Sequence, residues 1–145
     1  MPVRPGDGRM LLLDTSVWIE IFRKPAGFDI ARIGGLDEVV TCLPVVQEVL
    51  QGFRDEKAFR TAREAMLSLP CIESPLRLER FDEAAALYRA ARRAGITVRS
   101  GVDCLIAACA IENGVVVLHK DRDYSGLARV SPLIERGILG PVEKR

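Results

Sequence analysis

From Val102 to Ile111 the chain carries a single charged residue, Asp103, in a stretch otherwise apolar on every side. The stretch reads as a helix that continues to Asn113 and is closed by Gly114, and a helix apolar almost all round is a buried one. It leads straight into Val115–Leu118, whose β-branched character suits a strand.

The same alternation recurs along the chain. Leu11-Leu12-Leu13 is short and wholly apolar, as a buried parallel strand is, and it stops on Asp14 at the strand end where open α/β sheets place their ligands. Val17, Trp18, Ile19, Ile21 and Phe22 predict a helix too apolar to be exposed, ended by Pro25 and Gly27. Asp29 to Leu36 reads as a short second helix, and Val39-Val40-Thr41-Cys42 as a second strand. Pro44 suits the first turn of a helix running to Gly52, and Asp55 to Leu69 is amphipathic through Phe59, Ala62, Met66 and Leu69. A short strand is expected at Cys71-Ile72-Glu73. The longest helix is expected from Leu78 to Ala94, with Leu78, Phe81, Ala85, Tyr88 and Ala91 as its apolar stripe and Gly95 as its stop. A last short helix is expected over Tyr124–Val130, with a small strand or a tail in Pro132–Arg145. Strands alternating with helices imply right-handed crossovers, so the fold class is α/β: a three-layer α/β/α sandwich around a mainly parallel sheet.

At 145 residues the chain is the size of one domain. Residues 1–9, with Pro2, Pro5, Gly6 and Gly8, read as a flexible N-terminal arm and residues 10–145 as a single domain; Met1 and Met10 are both candidate starts. A net charge of +1 excludes the global basic excess of a nonspecific nucleic-acid binder, so any such surface must be local. Cys42, Cys71, Cys104 and Cys109 lie in apolar surroundings without CxxC spacing, and one histidine, His119, accompanies them, which argues against zinc. They read as small buried hydrophobes of a reducing compartment, and with no secretory or membrane-spanning stretch the expected location is the cytoplasm.

A buried, unpaired Asp103 costs several kcal/mol and needs a partner or a metal. Ser100-Gly101-Val102-Asp103 also fits a capping box, which explains Asp103 without any chemistry. Asp121 and Asp123 follow the strand ending near His119, in a loop expected at the same sheet end as Asp14, although turn formation and an N-cap at Asp123 account for either one alone. Glu48 shares a helix face with Gln47 and Gln51, and by itself is a solvated residue. Asp14 by itself is a helix cap. Their conjunction says more. Two carboxylates about 5 Å apart repel by about 3 kcal/mol at an effective dielectric of about 20, so three or four together call for a cation. Oxygen-only donors select Mg²⁺ or Mn²⁺. Thr15 and Ser16 then stand where a hydroxyl can position water, and His119 is a packed strand residue.

At these residues the chain resembles the PIN-domain ribonucleases, and within them the VapC-type toxins of toxin–antitoxin modules. The likeness rests on Leu-Asp14-Thr15-Ser16 after the first strand, Glu48 in the helix after the second, Asp103-Cys-Leu-Ile-Ala-Ala opening the buried helix, and Lys-Asp121-Arg-Asp123-Tyr after the fourth strand. Tyr124 stands where members of that family usually have Phe. The resemblance implies a Mg²⁺- or Mn²⁺-dependent endoribonuclease, a toxin that hydrolyses RNA with a metal-activated water and so stops translation and growth. Its acidic set maps to Asp14, Glu48, Asp103 and the Asp121/Asp123 pair, with Asp14 and Asp103 as direct ligands, Glu48 in an outer place, and either member of the pair as the last acid. The resemblance further implies a homodimer and a VapB-type antitoxin.

Arg89, Arg92, Arg93 and Arg99 gather at and beyond the end of the long helix, where they can grip RNA phosphates or simply complement the helix dipole. A rival reading is a PIN-like module that binds RNA or protein without cutting. A phosphoacceptor receiver domain would need an acidic pair upstream of an acceptor Asp and a Lys on a later strand, an order this chain lacks.

Overall fold

The computed structural model describes residues 9–138, so the expected N-terminal arm, apart from Arg9, and residues 139–145 lie outside the described residues. Leu11–Leu13 forms β1, Val39–Val40 β2, Val116–His119 β3 and Glu135–Gly137 β4. They make one sheet in the order β2-β1-β3-β4, every pair parallel, with Leu13 opposite Leu118 and Leu12 opposite Val40. Short strands can hold the centre of the molecule because their side chains are covered on both faces: Leu12, Leu13, Val116 and Val117 are fully buried. The helices α1 (Thr15–Phe22), α2 (Leu43–Gln51), α3 (Glu56–Leu67), α4 (Leu78–Arg93), α5 (Gly101–Asn113) and α6 (Asp123–Ala128) flank the sheet, giving the expected α/β/α sandwich.

α5 is the buried helix its composition demands, with Cys104, Ile106 and the run Ala107–Ala110 in the core. Gly114 ends it at φ 65°, and Gly95 stands at φ 76° beyond the end of α4, left-handed positions that glycine takes without a Cβ penalty.

Four expectations change. Cys71-Ile72-Glu73 is not a strand but a single parallel bridge between Cys71 and Thr41, where Thr41 N–H donates to Pro70 O and Ile72 N–H to Thr41 O. Pro70 has no N–H to extend the ladder, and Glu73 turns left-handed at φ 58°, so the pairing stops there. Cys71 is accordingly exposed, unlike the other three cysteines. Asp29–Leu36 contains a 3₁₀ turn at Ile30–Ile33, capped by Asp29, rather than an α-helix. On α4 the expected apolar stripe faces outward except at Ala91: Leu78 is 72% exposed and Phe81 49%. The face turned inward carries Arg80, Ala84 and Ala91. Small alanines let α4 approach the buried α5 closely, and Arg80 is enclosed by Glu73, Glu83 and Glu112, so the bulkier stripe is displaced to the surface.

Leu12→Ala is expected to lower the unfolding free energy by about 2–5 kcal/mol. Leu78→Ala, on the outward stripe, is expected to change it by no more than about 0.5 kcal/mol. Urea denaturation of the two variants reads the difference directly.

Candidate active site

The parallel register of β1 and β3 sets the geometry. Asp14, the first residue beyond β1, donates its N–H to Leu118 O at 2.9 Å, so the two strands end side by side. One residue later the chain turns into α1, and the Asp14 carboxylate caps it: Oδ2 accepts from Ser16 N–H at 3.0 Å and from Ser16 Oγ–H at 2.6 Å. Ser16 Oγ in turn accepts from Lys120 N–H at 3.0 Å, just past β3. Asp14 is therefore a cap as well as a site candidate, and its other oxygen, Oδ1, remains for something else.

That oxygen meets a phenol. The Tyr124 hydroxyl donates to Asp14 Oδ1 at 2.6 Å and, more weakly, to Asp103 Oδ1 at 3.3 Å. All three residues are buried, and burial together with the charges of Asp14 and Asp103 holds the phenol's pKa well above its ordinary value. The tyrosine that stands where the resembled family has Phe thus adds a hydroxyl that joins the two acids expected to be direct ligands. The sequence signal was that single difference.

Asp103 occupies the first turn of α5. Ser100 is the N-cap, accepting from Val102 N–H at 3.2 Å, but the box does not close, since the Asp103 carboxylate turns toward Asp14 and Tyr124. Its Oδ2 is buried and has no hydrogen-bond partner among the described residues. Burial, then the charges of Asp14 and Asp121, and then a hydrogen bond that the protonated carboxyl makes to Asp123 together with that residue's charge, push its pKa up to about 8.

Asp121 and Asp123 divide the work that the sequence left open between them. Asp121 shapes the turn: its Oδ1 accepts from Asp123 N–H at 2.9 Å. The expected N-cap at Asp123 is not found; Asp123 opens α6 and is buried beside Asp103. Arg99 binds both, with Nη2 2.7 Å from Asp121 Oδ1, Nε 3.5 Å from Asp123 Oδ1, and its backbone N–H donating to Asp123 Oδ2 at 3.0 Å. Oxygens of Asp103, Asp121 and Asp123 lie within 4.8 Å of one another. His119 is the packed strand residue expected, and also a strut. Its Nδ1 accepts from Asp121 N–H at 3.1 Å while Nε2 meets Glu135 Oε1 at 2.6 Å, which fixes the tautomer with the proton on Nε2.

The remaining candidates stand further out. Glu48 Oε1 accepts from Thr15 Oγ1–H at 2.8 Å, which places it beside the start of α1 rather than within the aspartate group. Both hydroxyls expected to position water donate their protons to protein carboxylates, Thr15 to Glu48 and Ser16 to Asp14. Of the four arginines, Arg99 reaches the acids, Arg92 lies over the Tyr88 ring, Arg93 lines a groove between α4 and α5, and Arg89 is exposed on α4.

Chemically, this is a pocket of oxygen donors with an uncompensated negative charge. Arg99 matches one part of it, and the bare Asp103 Oδ2, buried next to two other carboxylates, has the character of a ligand waiting for a cation. The residues present fit a divalent metal ion.

Three comparisons bear on the site. Residues 11–130 match the PIN domain family. Ribonuclease VapC11 of Mycobacterium tuberculosis is 39% identical over 129 residues, which are 86% of this chain and 96% of that protein. Among solved structures, VapBC-5 of M. tuberculosis superposes with a TM-score of 0.67 at 20% identity, covering 90% of this chain and 99% of that one. VapBC2 of Rickettsia felis, bound to a DNA fragment from its promoter, gives 0.67 at 14% identity over 88% and 98%.

Two outcomes are expected of the metal-free protein. The folded chain keeps a proton on Asp103 that the unfolded chain releases near pH 4, so this stability is complete at low pH and is lost as pH rises through about 8. Melting temperature in chelator should fall by roughly 5–10 °C between pH 5 and 8, and Asp103→Asn should flatten that dependence. Tyr124→Phe keeps the ring but removes the donor between two carboxylates, and should cost about 1–3 kcal/mol in chelator, read by urea denaturation.

Proposed function

Because the chain belongs to the PIN-domain family, and within it to the VapC-type ribonucleases, we propose that it is a metal-dependent endoribonuclease, the toxin of a toxin–antitoxin pair. It hydrolyses phosphodiester bonds of RNA and thereby inhibits translation and growth. The observation that carries this reading is the buried Asp103 carboxylate, whose Oδ2 has no hydrogen-bond partner among the described residues and which comes within 4.8 Å of oxygens of Asp121 and Asp123.

In this reading Asp103, Asp121 and Asp123 hold the cation, and Asp14 completes the set through the hydroxyl it shares with Asp103. Donors that are all carboxylate oxygens favour Mg²⁺ or Mn²⁺. Such an ion supplies positive charge at the scissile phosphate and makes water a nucleophile at neutral pH. The chain does the rest. Tyr124 sets the separation of Asp14 and Asp103, and Ser16, donating to Asp14 and accepting from Lys120 N–H, fixes the β1 carboxylate against the loop after β3. Glu48 and Thr15, at the edge of the acids, orient the attacking water, with Glu48 able to take up its proton. Arg99 keeps Asp121 and Asp123 in place and offsets their charge while no cation does so.

The partners follow from the same reading: RNA as substrate, a VapB-type antitoxin, and a second copy of the chain. The solved relatives named above are VapBC assemblies. The cytoplasm suits a chain whose four cysteines are all unpaired, and among the described residues no helix is long and apolar enough to cross a membrane.

Purified protein freed of any bound inhibitor is expected to cleave RNA with Mg²⁺ or Mn²⁺ and to stop in chelator. Asp14→Asn and Asp103→Asn should each lower the rate by at least about 100-fold, as loss of electrostatic stabilisation of a transition state does. Cleavage that persists in chelator, or in both variants, would overturn the metal mechanism.

A further inference from the structure

Arg99 faces oxygens that a cation at the acids would need. Its Nη2 lies 2.7 Å from Asp121 Oδ1 and its Nε 3.5 Å from Asp123 Oδ1. Both acids belong to the group whose oxygens, with those of Asp103, come within 4.8 Å of one another. Asp123 Oδ2 already accepts the backbone N–H of Arg99 at 3.0 Å, so the oxygen Asp123 has left is the one facing the guanidinium. Asp121 Oδ1 is engaged twice, by the guanidinium and by Asp123 N–H.

The backbone and the side chain of Arg99 are held very differently. Val98 before it is buried in the core, and Ser100 after it caps α5. The Arg99 side chain is 62% exposed. Fixed at its base and open to solvent along its length, it can swing away from the acids without any movement of the loop. The backbone N–H that holds Asp123 stays in place when the guanidinium leaves, so holding the acid and neutralising it are separable tasks of one residue.

A guanidinium and a divalent ion are drawn to the same carboxylates and repel each other at the short distances within one site. They sit together favourably only with an anion between them. A phosphodiester is such an anion, and its oxygens match the planar fork of arginine donors.

We propose that Arg99 changes partners in the course of the reaction: its guanidinium is the counter-ion of Asp121 and Asp123 that Mg²⁺ or Mn²⁺ displaces, and once displaced it binds the scissile phosphate as a catalytic residue. The first half rests on the cation reading of the acids, the second on the ribonuclease reading. Guanidinium and metal are rivals before substrate arrives and allies once it is bound. Loss of the guanidinium therefore has effects of opposite sign, tighter metal binding and slower cutting, whereas loss of a merely structural support weakens both.

The test uses the full chain freed of any bound inhibitor, manganese chloride as the probe, and the variants Arg99→Gln and Arg99→Lys. Free Mn²⁺ counted by electron paramagnetic resonance, with no RNA present, gives Kd. Arg99→Gln should bind Mn²⁺ at least about 5-fold more tightly than wild type, the lower end of ordinary coupling between two ligands. Arg99→Lys keeps the charge but loses the fork, and should fall between the two. Single-turnover cleavage of end-labelled total RNA at saturating Mn²⁺ should show the reverse order, with Arg99→Gln slower by about 100-fold, as for loss of one donor to developing charge, and Arg99→Lys again between. Arg63→Gln on α3 removes one charge far from the acids in the chain and should change neither quantity.

Mn²⁺ binding that is unchanged or weaker in Arg99→Gln would overturn the exchange. So would an equal gain in Arg63→Gln, because the effect would then be net charge alone. Tighter Mn²⁺ binding with a cleavage rate within about twofold of wild type would overturn the contact with phosphate and leave the displacement standing. Wild-type protein that binds Mn²⁺ but cleaves no RNA would overturn the ribonuclease reading, and wild-type protein that binds no Mn²⁺ would overturn the cation site itself.

Discussion

Four aspartates brought to one end of a sheet repel one another, and much of the surrounding structure is a response to that repulsion. Each answer is local and of a different kind. Asp14 is quieted by the amide and hydroxyl of Ser16 and by a phenol; Asp121 and Asp123 are matched by Arg99. Asp103 receives least, and its carboxyl holds its proton to about pH 8. A fold that concentrates unlike solutions around one carboxylate left short has been arranged for an added positive charge rather than for its own stability.

The framework and the chemistry were legible to different depths. The ends of β1 and β3 could be read because an apolar run that stops on Asp has few other places to lie, and α5 because a helix apolar all round has only one place to go. Asp103 was conspicuous as the one charge in that helix. What could not be read depended on contacts distant in the chain. Nothing near Tyr124 announces that its hydroxyl reaches Asp14, 110 residues away. Arg99 resembled its neighbours on α4, yet the turn after Gly95 carries it to the acids while Arg92 stays over Tyr88. The outward stripe of α4 shows a limit of periodicity. Leu78, Phe81 and Tyr88 form a better apolar row than Arg80, Ala84 and Ala91, but closeness to α5 decided in favour of the smaller side chains.

The supports of the site are less visible than its acids and as specific. Lys120 shows this: its backbone N–H reaches Ser16 Oγ while its ammonium pairs with Glu20 on α1 at 2.9 Å, so one residue clamps the loop after β3 to the helix after β1 at two points. His119 does the same toward the other side, joining the amide of Asp121 to Glu135 on β4.

That last link reaches into the time in which the molecule is made. Residues that set the acids run from Asp14, near the start, to Glu135, close to the end, and β4 pairs with β3 only through Val117–His119. A ribosome delivers these parts in order, and domains fold as units once their segments are available. A chain synthesised only to residue 120 has its central strands and its buried helix but lacks the loop acids, the tyrosine and the histidine's partner. The full arrangement of acids and supports therefore exists only in a chain that extends past Glu135.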